Sequence, residues 1–324
     1  MNIPKIVDMK RFGHNHFLVV GRAGLDLYAD PPGTHTEEAT RFTSALGGSA
    51  ANSAAAITRL GGKAALLTSV SDDAVGRFVL NQLKTYSIND TYVSKVTGEA
   101  RTSLAVVESR LENCQSVIYR NNAADFQLTA AQSDNVNLSP FGALMITGTS
   151  LAVEPSRNAV LALMLRAKTE QLPIIIDVDY RPYSWPSGDE ATRICRQAAD
   201  LCDIIVGNDE EFDVLAGEIG GGLALAKTYG NSAIAIHKMG ERGSITFASE
   251  TSFETPVFKV EALKPTGAGD AFLGGFCTSF ASGFSLQESV KRGSAAAAIV
   301  VTRVGCAPAC PTEIELTAFL NERN

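Results

Sequence analysis

Residues 264–276 read KPTGAGDAFLGGF and set an aspartate between small residues and an apolar segment. Asp270 directly follows Gly267, Ala268 and Gly269, at the predicted start of a helix. The first N–H groups of a helix have no intrahelical acceptor and attract anions. This arrangement suits phosphoryl transfer: the N–H groups stabilise charge on the moving phosphoryl group, and Asp270 accepts the proton of an attacking hydroxyl. The alternative is an ordinary cap, because Asp is a favoured N-cap residue.

The segment behind Asp270 has the spacing of a buried helix. Phe272, Phe276 and Phe280 recur every four residues and predict a core-facing stripe. Gly274 and Gly275 lie inside this helix, where each costs about 1 kcal/mol relative to Ala. That cost predicts close packing against a neighbouring segment.

Composition limits the class of protein. The chain has 324 residues, 45% hydrophobic and 19% charged, and a net charge of −7, which is typical of a globular domain. The acidic balance argues against nucleic acid as a partner but leaves room for an anionic small molecule. The six cysteines form no CxxC pair and no histidine is near them, which favours a reducing compartment and no metal site. Without a signal-peptide or membrane-span pattern, we expect a cytoplasmic protein with no membrane partner.

Short apolar runs alternate with helical patterns along most of the chain. This rhythm predicts an α/β fold with a doubly wound, mostly parallel sheet in three layers, over residues 17–312. Residues 17–27 are expected to form a buried strand that enters a turn, and residues 1–16 a loose lead-in. Segments 25–46 and 100–123 do not fit the rhythm; the second is predicted to form a hairpin, and both to build a small β-sheet lid.

Several common site motifs are absent from the sequence. There is no GxxxxGK[ST] phosphate loop, no GxGxxG after the first strand and no GxSxG nucleophile turn. An NAD-dependent oxidoreductase is therefore disfavoured.

Four strings together resemble the ribokinase-like (PfkB) carbohydrate kinase family. They are GRAGLD (21–26), GGSAAN (47–52), NDEE (208–211) and GAGDAF (267–272), which follow the order of the family along nearly the whole chain. The resemblance implies an ATP-dependent kinase with a ribokinase-like fold. It assigns Asp270 as the catalytic base and Gly267, Ala268 and Gly269 as the anion hole.

The resemblance also implies a nucleotide site. Asn208 and Glu211 match the N-x-x-E motif of the family, which organises Mg²⁺ and phosphates through water; the alternative is a simple helix cap. Lys238, Gly240 and Gly243, in the string KMGERGS, match the segment beside the nucleotide, although the string alone is an ordinary hairpin turn.

On the acceptor side, Asp26, Gly47, Gly48 and Asn52 match positions that hold sugar hydroxyls. Carboxylate and amide groups suit hydroxyls, which both donate and accept hydrogen bonds. Turn chemistry would explain the two glycines equally well.

The arginines extend this acceptor site. Arg22, Arg101, Arg120 and Arg181 lie in or beside the acceptor motifs or the lid, and arginine clusters suit carboxylates. For each of them a surface salt bridge is the alternative. DVDYRPYSWP (177–186), with Asp179 and Arg181, resembles the corresponding stretch of the 5-dehydro-2-deoxygluconate kinases, as does SVIYRNNAAD (116–125), with Arg120 and Asn121.

The expected reaction is therefore phosphorylation of the primary hydroxyl of 5-dehydro-2-deoxy-D-gluconate by Mg-ATP. A kinase for 2-keto-3-deoxygluconate, or for another sugar or a nucleoside, is the alternative; a non-catalytic sugar-binding relative is disfavoured because Asp270 is present. By resemblance only, a homodimer through the lid is expected.

One departure from the family concerns a monovalent cation. Many members carry an Asp-Thr pair just before the GAGD tract, tied to a cation site, whereas this chain has Lys264-Pro265-Thr266. Pro265 offers neither a side-chain ligand nor an N–H, so K⁺ dependence is left open.

Overall fold

The computed structural model describes residues 9–249 and 251–323. Its strands are β1 (His16–Val20), β2 (Gly24–Asp30), β3 (Arg41–Gly47), β4 (Lys63–Ser71), β5 (Val93–Val96), β6 (Leu104–Val107), β7 (Ser116–Tyr119), β8 (Ala143–Thr147), β9 (Ile174–Asp177), β10 (Ile204–Asn208), β11 (Ile234–Lys238), β12 (Ser244–Ala248) and β13 (Thr251–Thr255). Its α-helices are α1 (Met9–Phe12), α2 (Ser49–Arg59), α3 (Ala74–Thr85), α4 (Ala130–Asp134), α5 (Ser156–Thr169), α6 (Gly188–Ala199), α7 (Asp209–Ala216), α8 (Gly222–Tyr229), α9 (Ala268–Ala281), α10 (Leu286–Val301) and α11 (Glu313–Asn321).

Among the described residues, a nine-stranded sheet forms the centre of the molecule. Its strand order is β13-β12-β11-β10-β9-β8-β1-β4-β5, and the strands from β11 to β5 are parallel. Only β12 runs antiparallel to its neighbours, β11 and β13. The predicted doubly wound, mostly parallel sheet is confirmed.

Alternate side chains of each strand feed two separate cores. Leu18 and Val20 of β1 pack with helices α5 and α6 on one face, whereas Phe17 and Val19 pack with α2, α9 and α10 on the other. This follows from the two-residue repeat of a strand and gives the three predicted layers. Phe272, Phe276 and Phe280 lie in the second core, which confirms the predicted core-facing stripe. The structure adds that their rings stack in sequence.

The glycines inside α9 allow two helices to approach it closely. A Cβ on Gly274 would lie 2.4 Å from Cβ of Ala56 in α2, and a Cβ on Gly275 would lie 3.0 Å from Cβ of Ala296 in α10. The close packing predicted from these glycines is confirmed. It brings the N-terminal ends of α2 and α9 together.

A second sheet, with strand order β3-β2-β6-β7, forms the lid. β6 and β7 form the predicted hairpin, and β2 pairs with β3 antiparallel and with β6 parallel. The first strand prediction, over residues 17–27, spans two sheets: β1 belongs to the central sheet, and β2 starts the lid after a break at residues 21–23.

Residues 9–16 belong to the folded domain, against the expectation that residues 1–16 form a loose lead-in. Phe12 is fully buried and packs edge-on against Phe17 and Phe280, with ring centroids 5.6 and 5.3 Å away. The ring of His16 lies 4.7 Å from that of Phe141. Residues 1–8 lie outside the described residues. Within the described part of the chain, no helix has the length and apolar character needed to span a bilayer.

The chain path predicts where a site would form. From β1 the strand order runs outward to β4 and β5 on one side and to β8, β9 and β10 on the other. Open α/β sheets bind ligands at the carboxyl ends of their strands, at this reversal of strand order.

Candidate active site

The turn before α9 leaves its first N–H groups free. Gly267 is the N-cap, with φ of +84° and no side-chain cap, and a Cβ there would lie 2.8 Å from Sγ of Cys306. Only glycine adopts such a backbone conformation without strain. Among the described residues, no protein atom accepts a hydrogen bond from the N–H of Gly267, Ala268 or Gly269. These groups are available to an anion.

Asp270 lies in the first turn of α9, beside these N–H groups. Its Oδ2 accepts a hydrogen bond of 3.0 Å from Nδ2 of Asn52 in α2. Burial raises the pKa of Asp270 well above its usual value, and the nearby carboxylates of Asp179 and Asp177 raise it further, against the hydrogen bond from Asn52. The side chain faces a cavity of about 150 Å³ between the strand ends and the lid.

The cavity collects residues that are far apart in sequence. Those of its lining residues that the sequence predicted are Arg22, Asp26, Gly48, Asn52, Arg120, Asp179, Arg181, Gly267 and Asp270. Its other lining residues include Tyr28, Ser49, Thr149, Tyr183, Ser184, Thr266 and Cys306.

Asp26 is buried at the wall of the cavity, on top of Gly47. A Cβ on Gly47 would lie 1.9 Å from Oδ1 of Asp26, so the close approach of this carboxylate requires glycine. Tyr28 donates a hydrogen bond of 3.2 Å to Oδ2 of Asp26. Burial raises the pKa of Asp26, and the guanidinium of Arg22 opposes that rise. Gly48, with φ of +98°, starts α2 against the carbonyl of Arg22.

Each of the three arginines in the cavity has a carboxylate partner. Arg22 Nη2 lies 3.5 Å from Oδ1 of Asp26, Arg120 Nη2 lies 2.5 Å from Oδ2 of Asp125, and Arg181 Nη2 lies 2.9 Å from Oδ1 of Asp179. These ion pairs fix the guanidinium groups but do not use all their N–H groups. Within the described residues, no protein atom accepts a hydrogen bond from Nη1 of Arg22 or of Arg120.

Asp179 is held by donors from separate parts of the chain. Its Oδ2 accepts hydrogen bonds from Ser49 Oγ at 2.6 Å and Thr149 Oγ1 at 3.1 Å. Its backbone has φ of +38°, which is unusual for a residue other than glycine. Asp179 therefore links the ends of β8 and β9 to the start of α2, beside Asp270.

Asn208 and Glu211 form a capping box at the start of α7. Asn208 Oδ1 accepts from the N–H of Glu211 at 2.9 Å, and Glu211 Oε2 accepts from the N–H of Asn208 at 2.7 Å. The helix-cap alternative therefore describes their hydrogen bonds. Burial raises the pKa of Glu211 to about 7; Lys238 opposes this rise, whereas Asp177 and Asp179 reinforce it.

Lys238 ends β11 beside these acids. Its Nζ lies 3.7 Å from Oδ1 of Asp177, a buried oxygen without a hydrogen-bond partner among the described residues. In the hairpin that follows, Gly240 has φ of +58° with open space around it. Gly243 has φ of +88°, and a Cβ there would lie 2.2 Å from the carbonyl oxygen of Thr255. Gly240 thus presents a backbone without a side chain to solvent, two residues after Lys238, whereas Gly243 is buried.

Three predicted acceptor residues do not line the cavity. Gly47 lies behind Asp26, whose carboxylate packs directly against it. Arg101 is exposed and donates to the carbonyls of Gly98 and Ala100, because it precedes β6 at the base of the lid. Asn121 is exposed just past β7, adjacent to the buried Arg120. The chain turns at residues 121 and 122, which are both exposed, so Asn121 stays outside the cavity while Arg120 is buried.

Comparison of the full chain with known protein families identifies its family. Residues 15–313 match the model described as pfkB family carbohydrate kinase. The chain belongs to this family. It is an ATP-dependent carbohydrate kinase.

Named relatives cover nearly the full length of this carbohydrate kinase. A 5-dehydro-2-deoxygluconokinase of Photobacterium profundum is 39% identical over 313 residues, which are 94% of this chain and 95% of the relative. A 5-dehydro-2-deoxygluconokinase of Listeria monocytogenes is 33% identical over 97% of this chain and 99% of the relative.

Solved structures share the fold of this kinase. A fructokinase of Xylella fastidiosa with bound ATP superposes with a TM-score of 0.84 at 23% identity, covering 96% of this chain and 99% of that one. Aminoimidazole riboside kinase of Salmonella enterica, complexed with aminoimidazole riboside and an ATP analogue, gives 0.78 at 22% identity, covering 94% and 99%.

Sequence reasoning missed several residues of the site of this kinase. Tyr28 and Cys306 meet beside Asp26, with the Tyr28 hydroxyl 3.3 Å from Sγ of Cys306, and they come from opposite ends of the chain. Ser49 and Tyr183 fall inside strings that the resemblance had already marked. Thr149 had no sequence signal, because its role depends on where β8 ends.

Proposed function

We propose that this kinase transfers the terminal phosphoryl group of ATP to the primary hydroxyl of 5-dehydro-2-deoxy-D-gluconate. The observation that carries the proposal is a single cavity that brings a carboxylate, free helix N–H groups and guanidinium groups together. The names of the relatives in Photobacterium profundum and Listeria monocytogenes support the acceptor.

In this proposal Asp270 is the general base. Its carboxylate accepts the proton of the acceptor hydroxyl, and the N–H groups of Gly267, Ala268 and Gly269 stabilise the charge on the phosphoryl group. The raised pKa of Asp270 suits a base, because a carboxylate with a higher pKa holds the proton more strongly once it is taken. Asn52 keeps the carboxylate oriented through its hydrogen bond to Oδ2.

The carboxylates of Asp177, Asp179 and Glu211, near the ends of the strands, have the chemistry of a magnesium site. Mg²⁺ prefers carboxylate oxygens, phosphates and water, and Asp177 Oδ1 is a buried oxygen without a hydrogen-bond partner among the described residues. Asn208 and Glu211 are proposed to hold Mg²⁺ through water, with Lys238, Gly240 and Gly243 beside the nucleotide. The ion would neutralise charge on the phosphates.

The arginines are proposed to bind the carboxylate of the acceptor. Arg22 and Arg120 are buried, yet no described residue accepts a hydrogen bond from Nη1 of either, so each guanidinium keeps donors for a ligand. Arg181, which also lines the cavity, is held by Asp179. A ligand carboxylate can accept charge-assisted hydrogen bonds from the N–H groups that these ion pairs leave free, which favours an acid over the other sugars and nucleosides.

Turnover of a panel of acceptors by purified protein with Mg-ATP tests the acceptor. We expect 5-dehydro-2-deoxy-D-gluconate to give the highest kcat/KM, followed by 2-keto-3-deoxygluconate, and neutral hexoses and nucleosides to give the lowest. Higher kcat/KM with 2-keto-3-deoxygluconate would move the assignment to the alternative acid. Turnover of a neutral sugar alone would contradict the carboxylate proposal.

Two arginine variants compare the role of an arginine that lines the cavity with that of an arginine at the base of the lid. Arg120→Met removes a buried guanidinium that lines the cavity, whereas Arg101→Met removes an exposed one outside it. We expect Arg120→Met to raise the KM of the acid at least about tenfold, since a charge-assisted hydrogen bond contributes about 1.5–3 kcal/mol. The KM for ATP should stay within about twofold. Equal acceptor KM values in the two variants would remove Arg120 from the carboxylate role.

We also propose that the protein forms a homodimer through the lid and that it is cytoplasmic. Strand β7 is an edge of the lid sheet, with Val117 and Tyr119 45% and 59% exposed, and an exposed apolar edge favours pairing with another chain. Analytical ultracentrifugation of the full chain would give the mass in solution.

A further inference from the structure

Lys264 is a fully buried lysine directly behind the anion-hole turn. Its ammonium donates a hydrogen bond to the carbonyl oxygen of Thr266, and its backbone N–H donates to the carbonyl of Val301, at 3.2 Å, at the end of α10. The side chain therefore occupies a defined position rather than a solvent-accessible one. Lysine is among the residue types least often buried in this way without an ion pair.

Within the described residues, no carboxylate lies within ion-pair distance of Lys264 Nζ. Burial lowers the pKa of this lysine, and the groups that oppose the change are the thiols of Cys306 and Cys310, Asp270 and the thiol of Cys114. A buried ammonium without an ion pair lowers the free energy of unfolding, because it loses its hydration. An apolar side chain of the same length would fill the space without that loss. Packing alone therefore gives no reason for a lysine here.

The hydrogen bond of the ammonium connects it to the reaction site. The carbonyl of Thr266 and the N–H of Gly267 belong to one peptide unit, and that N–H is the first of the free donors before α9. A cation on the oxygen of a peptide polarises it and makes its N–H a stronger donor. Thr266 also lines the cavity, so the polarised peptide lies at the reaction site.

We propose that Lys264 is a positioning residue that acts as a built-in monovalent cation behind the anion hole. Its ammonium holds the Thr266–Gly267 peptide in place and strengthens the N–H that stabilises the transferred phosphoryl group. A separate K⁺ ion does not fit, because the ammonium already takes the Thr266 carbonyl and Pro265 supplies no side-chain ligand. The inference rests on the proposed role of the Gly267–Gly269 turn.

The wild-type enzyme gives the first test. Turnover is measured at equal ionic strength in potassium, sodium and tetramethylammonium chloride, the last being too large for a carbonyl-lined site. We expect the three kcat values to agree within about twofold. Activation by potassium of more than about tenfold over tetramethylammonium would overturn the inference.

Lys264→Ala gives the second test, because it removes the ammonium and leaves a space that a small cation can fill. We expect kcat to fall at least about tenfold with the KM for ATP within about twofold, and ammonium or potassium ions to restore part of the loss. The wild type and Lys291→Ala, a lysine variant on α10, should not respond to these ions. An unchanged kcat in Lys264→Ala, or a loss that no monovalent cation reverses in a folded variant, would overturn the inference.

Circular dichroism and thermal unfolding of Lys264→Ala establish its folding, and if it does not fold the wild-type salt series decides alone. Both assays use whichever acceptor of the panel is turned over best. A wrong acceptor assignment therefore leaves the Lys264 test intact. Potassium dependence with good turnover of the keto-deoxy acid would overturn the inference on Lys264 and leave the proposed acceptor standing.

Discussion

Helices α2 and α9 begin with the same backbone geometry but contribute different groups to the site. Each begins after a glycine with positive φ, Gly48 at +98° and Gly267 at +84°, and neither has a side-chain cap. The two helices pack together where Gly274 meets Ala56. Their first turns therefore face the same cavity from adjacent positions.

The difference lies in what reaches each first turn. At α2 the carbonyl of Arg22 accepts from the N–H of Ala51 at 3.2 Å, and the side chains of Ser49 and Asn52 donate to carboxylates. At α9 no described protein group accepts from the N–H groups of Gly267 to Gly269, and the side chain is the acid Asp270. α2 thus holds the acids by its side chains, and α9 offers backbone donors to a ligand.

The largest expected effect comes from the acid of α9. Asp270→Asn keeps the size of the side chain but removes the base, so we expect kcat to fall by about 10² or more while ATP binding stays near the wild-type value. Steady-state kinetics and titration with ATP measure the two quantities. Full kcat in this variant would contradict the assignment of Asp270 as the base and, with it, the contrast between the two helices.

Replacing the glycine before each helix with alanine distinguishes the roles of the two helix N-termini. Gly267→Ala strains the positive φ by about 1–2 kcal/mol and pushes on Cys306, so the N–H groups shift and we expect kcat to fall at least about tenfold. Gly48→Ala would place its Cβ 2.3 Å from the carbonyl oxygen of Arg22, so we expect a raised acceptor KM and lower stability instead.

Gly33→Ala is the matched control for both variants. Gly33 has φ of +94°, with no atom within 4 Å of an added Cβ, in a lid turn. It should lose stability from backbone strain alone, with kcat unchanged. A Gly48→Ala variant that loses kcat as strongly as Gly267→Ala, at unchanged acceptor KM, would mean that the two helix starts have the same role.

The smallest effect concerns the hydrogen bond that joins the two helices. Asn52 lowers the pKa of Asp270, so Asn52→Ala should raise that pKa, and the acid limb of the profile of kcat/KM against pH should move to higher pH. Ser53→Ala, on the same helix, should leave the limb in place. A limb that moves to lower pH, or stays fixed in Asn52→Ala, would contradict the role of Asn52.

Much of the fold followed from local sequence patterns. The phenylalanine stripe, the glycines inside α9 and the hairpin of β6 and β7 were predicted because each depends on spacing within one element. A turn and a lid segment from residue 25 were predicted, but the position of the break at residues 21–23 was not, because a short apolar run has the same pattern in either sheet.

The site, too, has a part that local sequence predicts and a part that only the tertiary structure decides. The sequence by itself determined that Gly267 to Asp270 start a helix with an acid in its first turn, since glycine conformation and the apolar stripe are local properties. Only the tertiary structure decided that Arg120 enters the cavity while Arg101 and Asn121 stay outside, that Tyr28 meets Cys306, and that Lys264 is buried without a carboxylate. Burial and pairing depend on which distant segments meet, and no local spacing encodes that.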